Sequence, residues 1–332
     1  MLTAIDTHTA GGPTRTLVAG LPPLPGDSVA EKMEYFRARY DSVRKLLMLE
    51  PRGHRDMSGA VLTPPCHPGA GAGAFFITSG GYLRACVHSS IGLATAGLET
   101  GFIPKESIAS DGSVQLETPA GLVALLPEYG EEGLKGVAVR TRPAFLFRER
   151  AMVETQAGLR IEVCVAFSGV FFALVDVLRL QAGGSEIAPE NAARFAASGV
   201  DILEAANRQL EIRHPENPDL RAIELVMFYQ DLDDRHARDI VVGRGGSIDR
   251  SPCGAGTGAK MVQQLALGRL QVDDSYTLES FLGTRFTGRL VAPAQVGQFG
   301  GAVPEVTGSA YVTGMHQFVL QADDPLTEGF LF

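Results

Sequence analysis

The chain of 332 residues contains no tryptophan, and its basic residues, 29 in number, are outnumbered by 38 acidic ones. The resulting net charge of -9 at pH 7 argues against nucleic acid or an anionic membrane surface as a partner, since both attract basic proteins. The sequence contains no run of 18 apolar residues, and a membrane-spanning helix would require one. Because no secretion signal is recognisable at the start, we expect a cytoplasmic protein.

Cysteine is also scarce, and the spacing of the four cysteines argues against a disulfide framework and against a metal site. The four cysteines form no C-x-x-C pair and no Cys/His cluster of zinc spacing, so the sequence predicts neither a disulfide framework nor a metal site. Cys164 lies in the apolar run RIEVCVAF and is predicted to be core. Cys66, in TPPCHPG, is predicted to be a loop thiol without an orienting partner and is expected to be inert.

What the sequence does contain is many short β-type runs separated by turn residues, together with a few helical patterns. Strands are predicted within 75–81, 109–126, 136–145, 160–177, 222–229, 239–243 and 290–301. Helices are predicted over 28–49 and 189–208, and two more directly after Cys86 and Cys253, ending near Gly101 and Gly268. The fold class predicted is therefore mixed α/β, dominated by strands.

The most informative feature is a repeated thiol at the start of an apolar helix. Cys86-Val-His-Ser-Ser and Cys253-Gly-Ala-Gly-Thr lie half a chain apart, each between strand patterns. Length alone favours two domains. We predict a first lobe of residues 1–143 plus 317–332 that carries Cys86, and a second lobe of residues 144–316 that carries Cys253.

A thiol at a helix N-terminus is chemically distinctive, because the unpaired N–H groups and the positive dipole end bind anions and lower a thiol's pKa. Two such sites holding one carboxylate substrate could remove and return a proton at the α-carbon, which is general acid/base catalysis without a cofactor. Two alternatives stay open from the residues alone. Both cysteines could be small packing residues, and the glycine-rich turn could bind phosphate, although GAGTGAK lacks the P-loop spacing.

Five blocks of the sequence resemble the proline racemase family over essentially the whole chain. They are DTHTAGGPTR at 6–15, PRGHRDMSGA at 51–60, GGYLRACVHSSIGLATAGLETG at 80–101, DRSPCGAGTGAKM at 249–261 and DDPLTEGF at 323–330. The resemblance implies two pseudo-symmetric lobes, each a curved, mostly antiparallel sheet or barrel around a central helix, as in diaminopimelate epimerase. It also implies a cofactor-independent amino-acid racemase or epimerase acting on a small imino acid.

Matched residue by residue, the resemblance implies that Cys86 and Cys253 are the two catalytic thiols. Val87, His88, Gly254 and Ala255 match positions that surround the substrate carboxylate and ring, and Asp249 matches the acid that accepts from the imino nitrogen. The chain departs from the family pattern at Val87, usually glycine, and at Ala255, usually threonine. The branched side chain of Val87 narrows the carboxylate site.

Two further positions bear on the substrate. Members that act on plain proline carry phenylalanine where this chain has Ser58 and Gly243. A roomier pocket with a hydroxyl suits a hydroxylated ring, because a buried hydroxyl without a partner is costly. The resemblance thus favours 4-hydroxyproline, with conversion of trans-4-hydroxy-L-proline to cis-4-hydroxy-D-proline as the expected reaction.

Other interpretations stay open at the level of sequence. A trans-3-hydroxy-L-proline dehydratase would need only one thiolate, a proline racemase would share both, and an imino-acid-binding protein would need neither. His8 and His54 could act as acid/base groups, although a histidine between Arg52 and Arg55 more often orders a loop. For the oligomeric state, a homodimer is the assembly to test.

Overall fold

The computed structural model describes residues 1–180 and 186–331, which form two compact units. The first unit consists of Met1–Val139 together with Gly308–Phe332, and the second of Arg140–Thr307. Each unit contains two of the four α-helices in the described residues, and the remainder is mostly strand. The strands are β1 Leu2–Thr9, β2 Gly12–Ala19, β3 Ser58–Thr63, β4 Ala72–Thr78, β5 Gly81–Leu83, β6 Val114–Thr118, β7 Gly121–Gly130, β8 Gly133–Arg140, β9 Ala144–Glu154, β10 Arg160–Ser168, β11 Val170–Asp176, β12 Ile223–Asp233, β13 His236–Val242, β14 Ile248–Asp249, β15 Ser275–Ser280, β16 Arg285–Val296, β17 Phe299–Gly308 and β18 Ala310–Phe318.

The helices lie where the sequence predicts them. They are α1 Val29–Met48, α2 Val87–Thr100, α3 Ala192–Gln209 and α4 Gly254–Ala266. The hydroxyl of Ser28 accepts the Glu31 N–H at 3.2 Å and caps the start of α1. Helix α2 ends at Gly101, whose φ of 85° is left-handed, a conformation that glycine adopts without strain.

In the first unit the strands form one mixed sheet. Its order runs β18, β1, β2, β3, β4, with the β2 and β3 pair parallel and the other pairs antiparallel. The far edge of β4 is shared, since β5 pairs with its end and β6 with its start, and β7 continues from β6 as a hairpin. The return of β18 to β1 joins the last part of the described chain to its beginning.

Helices α1 and α2 cover opposite faces of this sheet. Leu17 and Phe75 pack with Phe36 of α1 in one apolar core cluster. The other face of β1 and β2 carries threonines toward α2, and a Cβ at Gly92 of that helix would lie only 2.5 Å from Thr7 Oγ1. Glycine at that position therefore allows α2 to lie close against the strands.

In the second unit the strands close into a barrel. Successive pairings run β9, β10, β11, β12, β13, β15, β16 and β17, and Ala302 of β17 pairs with Ala144 of β9 to complete the ring. The short β14 attaches to the end of β13 beyond β15. Closure leaves the ring without a free edge strand.

Helix α4 lies inside this barrel and α3 packs outside it. Nearly every residue of α4 is buried, and the helix contacts β9, β10, β11 and β16 around the ring. A helix buried on all sides belongs to a core. Phe195 and Ile202 of α3 instead share an apolar cluster with Ile240 and Val242 of β13. Cys253, directly before α4, is itself buried.

The described residues contain no helix that is long and apolar enough to span a membrane. The predicted fold class, mixed α/β with strands predominating, is confirmed.

Candidate active site

Cys86 is the residue that caps the start of α2. Its φ of -152° and ψ of 117° are extended, and its carbonyl accepts the Ser90 N–H at 2.9 Å, the first hydrogen bond of the helix. Strand β5 ends three residues before it, so the chain passes from sheet to thiol to helix with little intervening loop. The thiol is thereby placed beside the positive end of a helix buried along most of its length.

Two side chains from the first turn of α2 contact this thiol. Cys86 Sγ donates to Ser89 Oγ at 3.2 Å, and the ring nitrogens of His88 lie 3.7 and 3.9 Å from the sulfur. The backbone beside His88 is anchored in turn, because Thr9 Oγ1 donates to the His88 carbonyl at 2.9 Å. Ser89 was not among the residues predicted for the site, although its position three after a helix cap is the one from which a side chain reaches back.

The environment of Cys86 favours its thiolate. Burial by itself raises the pKa of the thiol, but the charge of His88 and hydrogen bonds from His88 and Ser89 outweigh it, so that the pKa lies below its ordinary value. A lowered pKa increases the thiolate fraction at neutral pH, and the thiolate is the form that can act as a base.

Replacing His88 by alanine is therefore expected to raise the pKa of Cys86 and to slow its alkylation by iodoacetamide severalfold at neutral pH. The difference should vanish at a pH high enough to ionise the thiol in both proteins, because only the ionised fraction differs. Mass spectrometry of the Cys86 peptide across a pH series measures this, with His316→Ala, a half-exposed histidine of the same unit, as control. Equal pH profiles for His88→Ala and the parent would contradict the assignment.

Cys253 caps the start of α4 in a different backbone conformation. Its φ is +58° and its ψ 100°, a left-handed geometry rarely adopted by residues other than glycine and sustained only by its surroundings. Sγ accepts the Gly256 N–H at 3.3 Å, Thr257 Oγ1 donates to the Cys253 carbonyl at 3.0 Å, and the residue is 5% exposed. A strained cysteine inside a helix cap is typical of a functional position.

The turn before Cys253 connects it to Asp249. The Asp249 carboxylate accepts from the Ser251 backbone N–H at 2.9 Å and from its hydroxyl at 2.7 Å. The same hydroxyl oxygen accepts the Cys253 N–H at 3.2 Å. Ser251, which sequence reasoning missed, therefore fixes the predicted acid and the predicted thiol relative to each other.

The environment of Cys253 favours its protonated form. Burial and then the Asp249 carboxylate raise the pKa of this thiol well above its ordinary value, and the hydrogen bond from the Gly256 N–H offsets them only in part. The two helix-cap thiols thus differ in their resting protonation, since Cys86 favours the base form and Cys253 the acid form. A reaction that removes a proton and returns one needs a base and an acid that are both present at the same pH.

The other predicted residues fall into two groups, one in each unit. Val87 and His88 form the first turn of α2. Ser58 is the first residue of β3 and pairs with Thr78 of β4. Thr78 also pairs with Gly81, the first residue of β5. Gly254 and Ala255 form the first turn of α4. Gly243 begins the turn that joins β13 to β14. Asp249 is the last residue of β14, four residues before Cys253.

The remaining histidines and cysteines have structural contacts. His8 accepts from the Gly11 N–H and stacks on Tyr311, and His54 accepts from the Asp56 N–H within its loop. Cys164 is buried in β10, where burial raises its pKa to about 12, and Cys66 donates to the Gly26 carbonyl. The described residues contain no group of three or more histidine, cysteine or carboxylate side chains that could hold a metal ion.

Comparisons with known proteins agree on one family. The family model described as proline racemase matches residues 4–331. A proline racemase of Clostridioides difficile is 38% identical over 99% of this chain and 97% of its own length, and a 4-hydroxyproline 2-epimerase of Streptosporangium roseum is also 38% identical with the same coverage. A solved hydroxyproline epimerase of Agrobacterium vitis with bound trans-4-hydroxy-L-proline superimposes with a TM-score of 0.87 at 31% identity, covering 100% of this chain and 95% of that one.

A solved probable proline racemase of Agrobacterium radiobacter gives a TM-score of 0.89 at 30% identity, covering 100% of this chain and 97% of that one. The family match, the whole-length relatives and the structural neighbours point to the same chemistry. The chain belongs to the proline racemase family and is an isomerase of the racemase and epimerase type.

Proposed function

We propose that this chain is a cofactor-independent epimerase that inverts the α-carbon of 4-hydroxyproline, with Cys86 and Cys253 as its base and acid. The observation that carries the proposal is that each unit places a cysteine at the start of its buried helix, and that the surroundings of the two thiols favour opposite protonation states. The Cys86 thiolate removes the α-proton of one stereoisomer, and the Cys253 thiol gives a proton to the opposite face.

The proposed roles of the other residues follow from the groups they supply. Backbone N–H groups at Val87, His88, Gly254 and Ala255, on the first turns of α2 and α4, are suited to hold the substrate carboxylate and the charge that develops on it. Asp249 accepts from the imino nitrogen. Because the two thiols exchange roles when the other stereoisomer is bound, the enzyme works in both directions.

The choice of 4-hydroxyproline rests on two positions that the family resemblance assigns to the substrate ring, Ser58 and Gly243. A Cβ at Gly243 would lie 2.9 Å from Ser247 Oγ, so a side chain at this position would have to displace that hydroxyl. Ser58 has a hydroxyl where relatives that act on plain proline have phenylalanine. Relatives named 4-hydroxyproline 2-epimerase and relatives named proline racemase are equally similar to this chain, so the ring substituent has to be tested directly.

The test is α-proton exchange in deuterated water with trans-4-hydroxy-L-proline, L-proline and trans-3-hydroxy-L-proline, followed by NMR. We expect α-deuterated cis-4-hydroxy-D-proline from the first, with kcat/KM at least about tenfold above that for L-proline, the discrimination that unsatisfied pocket hydroxyls provide. A preference for L-proline would make the enzyme a proline racemase. Pyrroline formation from the 3-hydroxy compound without exchange of the others would indicate a dehydratase, and binding without any exchange a non-catalytic protein.

A further inference from the structure

The block DTHTAGGPTR at 6–15 has no role in the proposed reaction, although it lies against the helix that begins at Cys86. Its residues form the hairpin of β1 and β2, and three of its threonines are buried against α2. A Cβ at Gly92 of α2 would lie 2.5 Å from Thr7 Oγ1, 3.1 Å from Thr9 Oγ1 and 3.2 Å from Thr14 Cβ. The hairpin therefore brings hydroxyl groups close to the first half of α2.

The hydroxyl of Thr14 contacts the side chain that contacts the thiol. Thr14 Oγ1 donates to Ser89 Oγ at 3.4 Å, and Ser89 Oγ lies 3.2 Å from Cys86 Sγ. Thr14 and Ser89 are both 0% exposed. Within the described part of the chain, Thr14 Oγ1 has no hydrogen-bond partner other than Ser89 Oγ, and Ser89 Oγ has none other than Thr14 Oγ1 and Cys86 Sγ. The three groups form a short chain of hydrogen bonds that ends at the sulfur.

The number of hydrogens in this chain fits the thiolate form of Cys86. Each hydroxyl has one hydrogen to donate and an oxygen that accepts. With a thiolate, the Thr14 hydrogen lies in the contact with Ser89 and the Ser89 hydrogen in the contact with the sulfur, so both buried hydroxyls are satisfied. With a thiol, three hydrogens compete for two contacts. Either the S–H then turns away from Ser89 or a buried hydroxyl loses its acceptor, which is destabilising.

The hairpin acts on the sulfur through hydroxyls rather than through charge. The titratable groups of the strands packed against α2 are engaged or exposed elsewhere: Asp6 with Arg15 and His316, His8 on the Tyr311 ring, and Glu128 at the exposed end of β7. The titratable group beside the sulfur is His88, on α2 itself, with ring nitrogens at 3.7 and 3.9 Å. Removing a hairpin hydroxyl therefore changes hydrogen bonding to the sulfur without removing a charge.

We propose that Thr14 is a positioning residue that acts on Cys86 through Ser89, donating to the Ser89 oxygen so that the Ser89 hydroxyl donates in turn to the Cys86 thiolate. The two bonds support each other, because a hydroxyl whose oxygen accepts a hydrogen bond is a stronger donor. The chain thus stabilises the form of Cys86 that removes a proton. In taking Cys86 as the base, the inference rests on the proposed function.

The test compares Thr14→Val with Thr14→Ser and with the control Thr16→Val. Valine has the size of threonine but cannot donate, whereas serine keeps the hydroxyl. Thr16 lies on the same strand and is equally buried, and its hydroxyl has no hydrogen-bond partner among the described residues. Alkylation of Cys86 by iodoacetamide is followed across a pH series by mass spectrometry of its peptide.

We expect Thr14→Val to slow alkylation at pH 7 at least about threefold, and Ser89→Ala, which removes the donor to the sulfur itself, about tenfold. Thr14→Ser and Thr16→Val should stay within about twofold of the parent. All rates should converge at a pH high enough to ionise the thiol in every variant. Because Thr14 acts through Ser89, adding Thr14→Val to Ser89→Ala should slow alkylation no further.

Two results would overturn the proposal. One is a folded Thr14→Val with the parent profile, and the other is an equal slowing by Thr14→Val with and without Ser89, because Thr14 would then act by another route. Thermal unfolding shows whether each variant is folded, and Thr14→Ala removes the same donor with a smaller side chain if valine does not fit beside Gly92. Alkylation is measured without substrate, so the proposed function fails separately, if the parent protein exchanges no imino acid.

Discussion

Serine in place of either Cys86 or Cys253 is expected to lower α-proton exchange with 4-hydroxyproline by about a thousandfold or more. A serine hydroxyl is far too weak an acid to ionise near neutral pH and so cannot replace the thiolate. A positioned general acid or base increases the reaction rate by roughly a hundredfold to ten-thousandfold. Both variants should fold, because serine is nearly isosteric and the cap contacts with Ser89 and Gly256 are retained.

Cys66→Ser is the matched control for these two substitutions. Cys66 is a partly exposed loop thiol that donates to a backbone carbonyl, so its loss should leave exchange within about twofold of the parent. Steady-state exchange and circular dichroism on all three variants complete the comparison. If Cys86→Ser or Cys253→Ser kept a tenth of the parent rate, a single thiol would suffice and the two-thiol assignment would be wrong.

The second large effect concerns the buried cation of the barrel. Lys260 is 0% exposed, and its ammonium lies 2.7 Å from Asp231 and 2.8 Å from Gln263 Oε1 and over the Tyr229 ring. Burial lowers the pKa of Lys260 to about 8 despite the partly offsetting charge of Asp231. The unfolded chain, in which this pKa is near 10.5, therefore binds more protons than the native protein between pH 8 and 10.5.

Because the unfolded state binds the extra proton, the free energy of unfolding should rise with pH through that window by as much as roughly 3 kcal/mol from this group alone. Lys260→Met is expected to remove that rise, since methionine fills the space without a charge. Urea unfolding of parent and variant at pH 7.5 and pH 10 measures the difference. Lys45→Met, which removes a surface lysine paired with Glu328, should keep the parent slope, and parallel stabilities for Lys260→Met and parent would contradict the account.

The helices could be predicted from sequence because their apolar spacing and glycine ends are local signals. The strands at 2–9, 12–19 and 310–318 were not predicted, and the reason lies in their composition. Thr7, Thr9 and Thr14 are buried against α2, but a series of threonines is typical of polar surface when only the sequence is available. Whether such residues are buried depends on α2, which lies far away in the chain.

For the candidate site, the two cysteines were recognisable because each begins an apolar helix. Their opposite protonation was not, since both have the same local pattern and the difference comes from His88 at one and from burial and Asp249 at the other.

The central claim is that two different groups remove and return the α-proton, and the position of deuterium early in the reaction tests it most directly. In deuterated water the donor thiol carries deuterium before substrate binds, and the acceptor thiol keeps the proton it removes until product leaves. We therefore predict that the first cis-4-hydroxy-D-proline formed carries α-deuterium while the recovered trans-4-hydroxy-L-proline remains protiated. Product that retains the substrate's own proton, or deuterium appearing equally in both compounds from the earliest time, would contradict a two-thiol mechanism.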